Sequence, residues 1–95
     1  QTTCVLVEAD AVESHLGDPD PRCVLITTLD REVGPHHVRI LMPDDPQGYA
    51  AEIYDAMRRA DAERPDLILI EVQGEDDPNW EAIRDRLNRA ASERF

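Results

Sequence analysis

Lysine is absent from this chain of 95 residues, and all ten basic residues are arginines. A P-loop needs a lysine on the β- and γ-phosphates of its nucleotide, so that motif is excluded. No Gly-x-Gly-x-x-Gly segment follows the first apolar run, which excludes a standard dinucleotide site. The 21 acidic residues leave a net charge of −11; a field of that sign repels nucleic acid, so we expect no direct nucleic-acid partner. The acidic composition fits salt adaptation as well as a functional acidic surface.

Membrane-length apolar runs and cysteine motifs are also missing. No stretch approaches the length of a membrane span and no basic-then-apolar leader opens the chain, so we expect a cytoplasmic protein with no membrane partner. Cys4 and Cys23 form no Cys-x-x-Cys motif and are expected to be buried thiols, although a disulfide between adjacent strands stays open. Because residues 1–5 already resemble the entry to a strand, we expect residues 1–95 to be a single domain excised from a longer two-domain chain.

The longest apolar run covers residues 66–72, between Pro65 and Gly74. Its apolar character at consecutive positions predicts a strand that is buried on both faces of a parallel sheet. Helical patterns flank it, and each begins with an Asp-Pro pair, at residues 45–46 and 77–78. There the carboxylate can cap free amides while proline occupies the first helical position. Helical spacing predicts this buried stripe in the helix before the run: Tyr49, Ile53, Ala56, Met57 and Ala60.

Four strands and three helices are predicted along the whole chain. In order they cover residues 3–7, 9–16, 23–28, 37–42, 46–63 and 66–72, with the last helix starting at residue 78. This order predicts an α/β fold: a three-layer Rossmann-like domain with a mostly parallel sheet of about four strands and helices on both faces. In the third strand, apolar and polar positions alternate, which is typical of a more exposed strand. Its direction stays open, because a hairpin and a parallel crossover are both possible.

Polar residues collect after the predicted strands, where ligands bind in open parallel sheets. The candidate ligand-binding residues are Thr27, Thr28, Asp44, Glu71 and Gln73. A helix that begins at Pro46 or Pro78 would also offer free amides to an anion. Aspartates beside both prolines compete with a phosphate, so helix caps and a solvated rim are the favoured interpretation.

No constellation of catalytic or metal-binding residues is visible in the sequence. Ser14 adjoins His15, but neighbouring helical side chains point about 100° apart and cannot easily form the required hydrogen bond. His36 and His37, combined with either cysteine, match no established zinc spacing. We therefore predict no catalytic residue and no metal site in this chain.

Three segments carry a familiar succession of residues. They are Ala50-x-x-Ile53-Tyr54-x-x-Met57-Arg58-x-x-Asp61, then Asp66-Leu67-Ile68-Leu69-Ile70-Glu71, then Trp80-x-x-Ile83-Arg84-Asp85-Arg86-Leu87-Asn88-Arg89-Ala90-Ala91. This succession resembles the C-terminal accessory domain of the long-form threonylcarbamoyl-AMP synthases, and the resemblance is good over residues 43–92. The pair Arg64-Pro65 departs from it, since family members often place a glycine before the strand. We expect the departure to change the turn and not the fold.

The resemblance implies a Rossmann-like domain that a linker joins to a YrdC-like catalytic domain in the same parent chain. That parent makes threonylcarbamoyl-adenylate from threonine, bicarbonate and ATP, with Mg²⁺ implied, for threonylcarbamoyladenosine modification of transfer RNA. The family's ATP and threonine sites lie in the catalytic domain, so no catalytic residue and no cofactor carry over. The resemblance thus implies a non-catalytic regulatory or docking domain. The candidates for contact with the partner domain are Arg58, Arg59, Arg84 and Arg86. The alternative is a small nucleotide- or anion-binding α/β module.

Overall fold

The computed structural model describes residues 3–8, 11–17, 20–71 and 77–93, with the side chains of the last helix described as far as residue 89. The strands and helices follow in the predicted order: β1 (Thr3–Val7), α1 (Val12–Leu16), β2 (Cys23–Thr27), β3 (Val38–Leu41), α2 (Pro46–Ala62), β4 (Leu67–Glu71) and α3 (Pro78–Glu93). Residues 9, 10 and 72, which the sequence assigns to the first helix and to the longest apolar run, lie outside the described residues.

The apolar run forms an interior strand of the sheet. The strand order is β1-β4-β2-β3, and every neighbouring pair is parallel. Leu69 of β4 lies opposite Val5 of β1 and Leu25 of β2. Because β4 has a neighbour on each side and helices or links above and below, apolar side chains are required at consecutive positions. The prediction of a strand buried on both faces is confirmed.

Strand β3 is a parallel edge strand, which resolves the direction that the sequence left open. The link between β2 and β3 crosses one face of the sheet, where Val33 packs beside α1. It returns the chain to the start of β2, because Nδ1 of the buried His37 accepts a hydrogen bond of 3.0 Å from the Cys23 amide. Arg39 and Leu41 are exposed while Ile40 is buried, as the alternation predicts for a strand at the sheet edge.

The two faces of the sheet carry separate apolar clusters. Ile68 and Ile70 pack with α2 and α3, whereas Leu69 packs with α1 and the link before β3. This separation follows from the alternation of side chains along each strand. Cys4 belongs to the first cluster and Cys23 to the second, so the two thiols lie on opposite faces of the sheet and no disulfide joins them. The three-layer fold with helices on both faces is confirmed.

Helix α2 begins and ends as local chemistry dictates. The Asp45 carboxylate accepts the Gly48 amide at 2.7 Å, and the predicted stripe of that helix is buried. At the other end Arg64 has φ of +53°, and its amide bonds to the Asp61 carbonyl at 3.0 Å. This left-handed conformation favours glycine, which explains how an arginine stands where the family often has glycine. No helix among the described residues is long and apolar enough to cross a membrane.

Candidate functional site at the carboxyl edge of the sheet

The structure brings together two of the candidate ligand-binding residues. Ile26 of β2 pairs with Ile70 of β4, so the next residues, Thr27 and Glu71, project from the same face of neighbouring strands. Both side chains are completely buried. Thr28 follows and is partly buried, Asp44 lies exposed ahead of α2, and Gln73 lies outside the described residues.

The Glu71 carboxylate is held by two side chains. Thr27 Oγ1 donates a hydrogen bond of 2.8 Å to Oε1. Arg31 donates from Nε to Oε1 at 2.8 Å and from Nη2 to Oε2 at 2.9 Å. Two parallel charge-assisted bonds of this kind are stronger than neutral hydrogen bonds and fix the orientation of both groups. The hydrogen bond to Glu71 raises the pKa of Arg31, while partial burial acts in the opposite direction.

Further hydrogen bonds hold the backbone of residues 29–31, which follow β2, beside this carboxylate. Besides donating to Glu71, Thr27 Oγ1 accepts the Leu29 amide at 3.0 Å. Arg39 Nη1 donates to the Arg31 carbonyl at 2.8 Å and also pairs with the Asp30 carboxylate. The segment that follows β2 is therefore tied to β4 through Glu71 and to β3 through Arg39.

The arrangement is an internal ion pair in which Arg31 neutralises the Glu71 carboxylate. An ionised carboxylate only accepts hydrogen bonds, and both Glu71 oxygens already receive them from Arg31 and Thr27. The Thr28 hydroxyl, by contrast, is buried and has no hydrogen-bond partner among the described residues.

The histidines and cysteines do not converge on a site within the described part of the chain. No group of three His, Cys, Asp or Glu side chains there could hold a metal ion. Ser14 Oγ donates to the Ala11 carbonyl at 2.8 Å, and His15 Nδ1 lies 3.0 Å from the same oxygen. Burial raises the pKa of the Cys23 thiol, with a further contribution from Asp66, which keeps it a weak nucleophile.

The starts of α2 and α3 are occupied by their own aspartates. Asp45 accepts the Gly48 amide, and Asp77 Oδ1 accepts the Asn79 amide at 2.9 Å. These amides are the ones that an anion would use at a helix start. The arrangement matches the interpretation of the two Asp-Pro pairs as helix caps.

A family model described as threonylcarbamoyl-AMP synthase, C-terminal domain, matches residues 1–92. The chain belongs to this family. The match confirms the resemblance over residues 43–92 and extends it to residues 1–42. Comparisons with curated proteins and with solved structures returned no significant match. Membership makes the chain part of a threonylcarbamoyl-AMP synthase, which connects it with threonylcarbamoyl modification of transfer RNA.

The four arginines predicted to contact the partner domain lie on the two long helices of this synthase domain. Arg58 and Arg59 are exposed on α2 and each lies 3.3 Å from an Asp55 oxygen. Arg84 is partly buried on α3, whereas Arg86 is exposed and lines a groove between the helices. They occupy one side of the domain, opposite the face that carries α1.

Arg31 is the principal residue of the site that the sequence analysis did not identify. It lies in a segment without helical or strand periodicity, 40 positions before Glu71. The available signal was the acidic residue at the end of an otherwise apolar buried strand. A buried carboxylate requires a partner, and the nearest arginine after a neighbouring strand would have been the candidate.

Proposed function

We propose that this chain is a non-catalytic regulatory and docking domain of its threonylcarbamoyl-AMP synthase. The observation that carries the proposal is that the Glu71 side chain is already hydrogen-bonded within the domain. At the sheet edge where ligands bind in open α/β folds, this buried carboxylate is already bound by Arg31 and Thr27. The domain's own side chains therefore occupy the position that a ligand would take.

The remaining chemistry is assigned to the parent enzyme. In this proposal a YrdC-like catalytic domain of the same parent chain binds ATP with Mg²⁺, threonine and bicarbonate, in the cytoplasm. The accessory domain uses no cofactor of its own and touches neither nucleic acid nor membrane. The net charge of −11 supports the absence of nucleic-acid contact, since transfer RNA would be repelled.

Docking is assigned to the helical side of the domain. Arg58, Arg59, Arg84 and Arg86 lie there on α2 and α3, and a partner surface of opposite charge would meet them. Regulation then means that contact at this side changes how readily the catalytic domain closes over its substrates, as interdomain contacts commonly do.

Two assays test the proposal. The isolated domain, given ATP, threonine and bicarbonate, should produce no pyrophosphate above a no-protein control, and appreciable turnover would refute the non-catalytic assignment. Deleting the domain from the parent synthase should change kcat or KM for threonine or ATP. Unchanged kinetics would refute the regulatory role.

The alternative, a small nucleotide- or anion-binding module, has a separate test. Calorimetric titration of the domain with ATP, AMP and pyrophosphate should give no heat of binding, because Arg31 is paired and the two helix starts are capped. A saturable signal that disappears in Arg31→Met would restore this alternative.

A further inference from the structure

The buried imidazole of His37 joins the link before β3 to the start of β2. Its exposed fraction is 7%, and its Nδ1 accepts a hydrogen bond of 3.0 Å from the Cys23 amide. Because a backbone amide always donates, Nδ1 carries no proton while this contact is made, and the ring is neutral with its proton on Nε2. The contact is therefore possible in only one protonation state of the side chain.

Strand β3 has few other hydrogen bonds to hold it in place. Within the described sheet it lies at the edge and pairs with β2 alone, over the four residues Val38–Leu41. Past one end of this pairing, the Met42 amide donates to the Thr27 carbonyl at 2.7 Å. The His37 contact lies past the other end, where the link from β2 arrives. A short edge strand that loses a contact at its end opens more readily than an interior strand does.

A proton on Nδ1 would remove the contact between His37 and the Cys23 amide. The ring nitrogen would become a donor facing another donor, and the buried amide would lose this acceptor. The imidazolium would also be a charge in a position that is almost closed to water, which is costly. Both effects favour a form of the chain in which the ring has moved out into solvent.

Charged side chains of both signs lie near the ring. Those that line the same depression are Arg31, Glu32 and Arg39. On the β2 side, Asp66 adds to the effect of burial in raising the pKa of the Cys23 thiol. On the α1 side, Glu13 adds to the effect of Glu71 in raising the pKa of Arg31. The carboxylates of Glu32, Asp66 and Glu13 are exposed, so water screens their attraction for a proton on the ring. The direct, buried hydrogen bond therefore determines the sign.

We propose that His37 is a pH-sensitive contact of the fold, whose protonation in mild acid releases the start of β3 from β2. The bond between Arg31 and Glu71 joins the other part of the link to β4, so the opening is confined to the residues next to β3. In the open form the ring is hydrated and takes up a proton near the ordinary histidine value of about 6.5. The contact thus stabilises the closed form fully above that pH, and this contribution decreases as the pH falls below it. The device does not depend on the docking function.

Hydrogen exchange of this chain at pH 7.5 and 5.0 measures the opening, once each rate is divided by the intrinsic rate at the same pH. The protection of the Cys23 amide, and of the β3 amides that bond to β2, should fall about 30-fold. This factor follows because each pH unit below about 6.5 favours the protonated open form by up to tenfold. Amides of β4 should remain better protected than those of β3 at both pH values, since an interior strand opens only with the whole domain.

Two variants with matched chemistry identify the group that titrates. His37→Asn places an oxygen where Nδ1 was, so the side chain can still accept the Cys23 amide but does not titrate. The 30-fold change should disappear in this variant. The control is His36→Asn, because His36 is the exposed neighbour of His37, and it should keep the change. Nitrogen-15 spectra of the wild-type ring need no variant: at pH 7.5 they should show Nδ1 of His37 without a proton.

Four outcomes would overturn the inference. The spectra could show a proton on Nδ1 of His37 at pH 7.5, or the protection of β3 could be the same at both pH values. The pH dependence could persist in His37→Asn, which would assign it to another group. The amides of β4 could also be no better protected than those of β3 at pH 5.0, which would show that acid opens the whole domain and not this edge.

Discussion

Replacing Arg31 by methionine tests whether the pairing with Glu71 holds the carboxyl edge together. Methionine keeps part of the apolar stem and removes the guanidinium, so among the described residues only Thr27 still donates a hydrogen bond to Glu71. Removing one partner of a buried ion pair commonly costs about 3–5 kcal/mol, because a charge is left without compensation. The Arg31 side chain is 22% exposed, so water can partly replace it. We therefore expect a loss of about 2–3 kcal/mol.

Urea unfolding followed by the fluorescence of Trp80 measures this loss. Trp80 is the only tryptophan of the chain and is buried against Tyr49, with ring centroids 5.2 Å apart, so its emission reports on the packing of α2 against α3. The unfolding midpoint should fall while the slope with urea stays the same, which identifies a change in stability and not in the surface exposed on unfolding.

A second substitution separates the uncompensated charge from lost packing. Glu71→Gln keeps the shape of the side chain and an oxygen that can accept from Thr27, but it removes the charge. In the Arg31→Met background it should restore about 1–2 kcal/mol, because the desolvated anion is the source of the cost. Arg58→Met is the matched control: its guanidinium is exposed in a pair with Asp55, so the change should be within about 0.5 kcal/mol.

Either of two results would show that Arg31 does not compensate a buried Glu71 charge. Arg31→Met could unfold within about 1 kcal/mol of the wild type, which would mean that Glu71 is reached by water or is bound elsewhere. The double variant could also be less stable than Arg31→Met alone, which would show that the loss came from packing and not from charge.

Four further predictions concern α2 and its two ends. Tyr49→Phe should raise stability by about 1 kcal/mol, because the buried hydroxyl has no hydrogen-bond partner among the described residues, while Tyr54→Phe should change little. Burial, and secondarily Cys4, raise the pKa of the Tyr49 hydroxyl. The unfolded chain therefore loses this proton first, above its pKa of about 10. The free energy of unfolding should fall as the pH rises beyond that value, and less so in Tyr49→Phe. Arg64→Gly should stabilise by about 1 kcal/mol in thermal unfolding, since φ is +53°; destabilisation would contradict this. Asp45→Ala should cost about 1 kcal/mol through loss of the cap, against almost nothing for Asp44→Ala, as urea unfolding would show.

Apolar periodicity, together with the Asp-Pro pairs at helix starts, is sufficient to predict the strands and helices and their order along the chain. The apolar run at β4 indicates burial on both faces, and the alternation in β3 indicates an exposed strand. The Asp45-Pro46 pair marks the start of α2. Each of these signals is local, because it depends on residues within one element and its immediate flanks.

The direction of β3 and the pairing of Arg31 depend on contacts between distant residues. The link before β3 crosses the sheet because Val33 finds apolar partners there and His37 receives the Cys23 amide. Neither contact leaves a periodic trace in the sequence. The candidate ligand-binding set was assembled from strand ends alone, so it contained Thr27 and Glu71 without predicting that the one is hydrogen-bonded to the other.

The pairing of Glu71 also determines what a ligand at the carboxyl edge of the sheet would have to displace. A ligand at the carboxyl edge would have to displace Arg31, leaving the buried carboxylate uncompensated at a cost of several kcal/mol before any contact is gained. The side of the domain that carries α2 and α3 makes no such demand, because Tyr54 and Arg86 are already exposed there. A ligand at the carboxyl edge would therefore first have to offset this loss, whereas a contact with the exposed side chains of α2 and α3 would not.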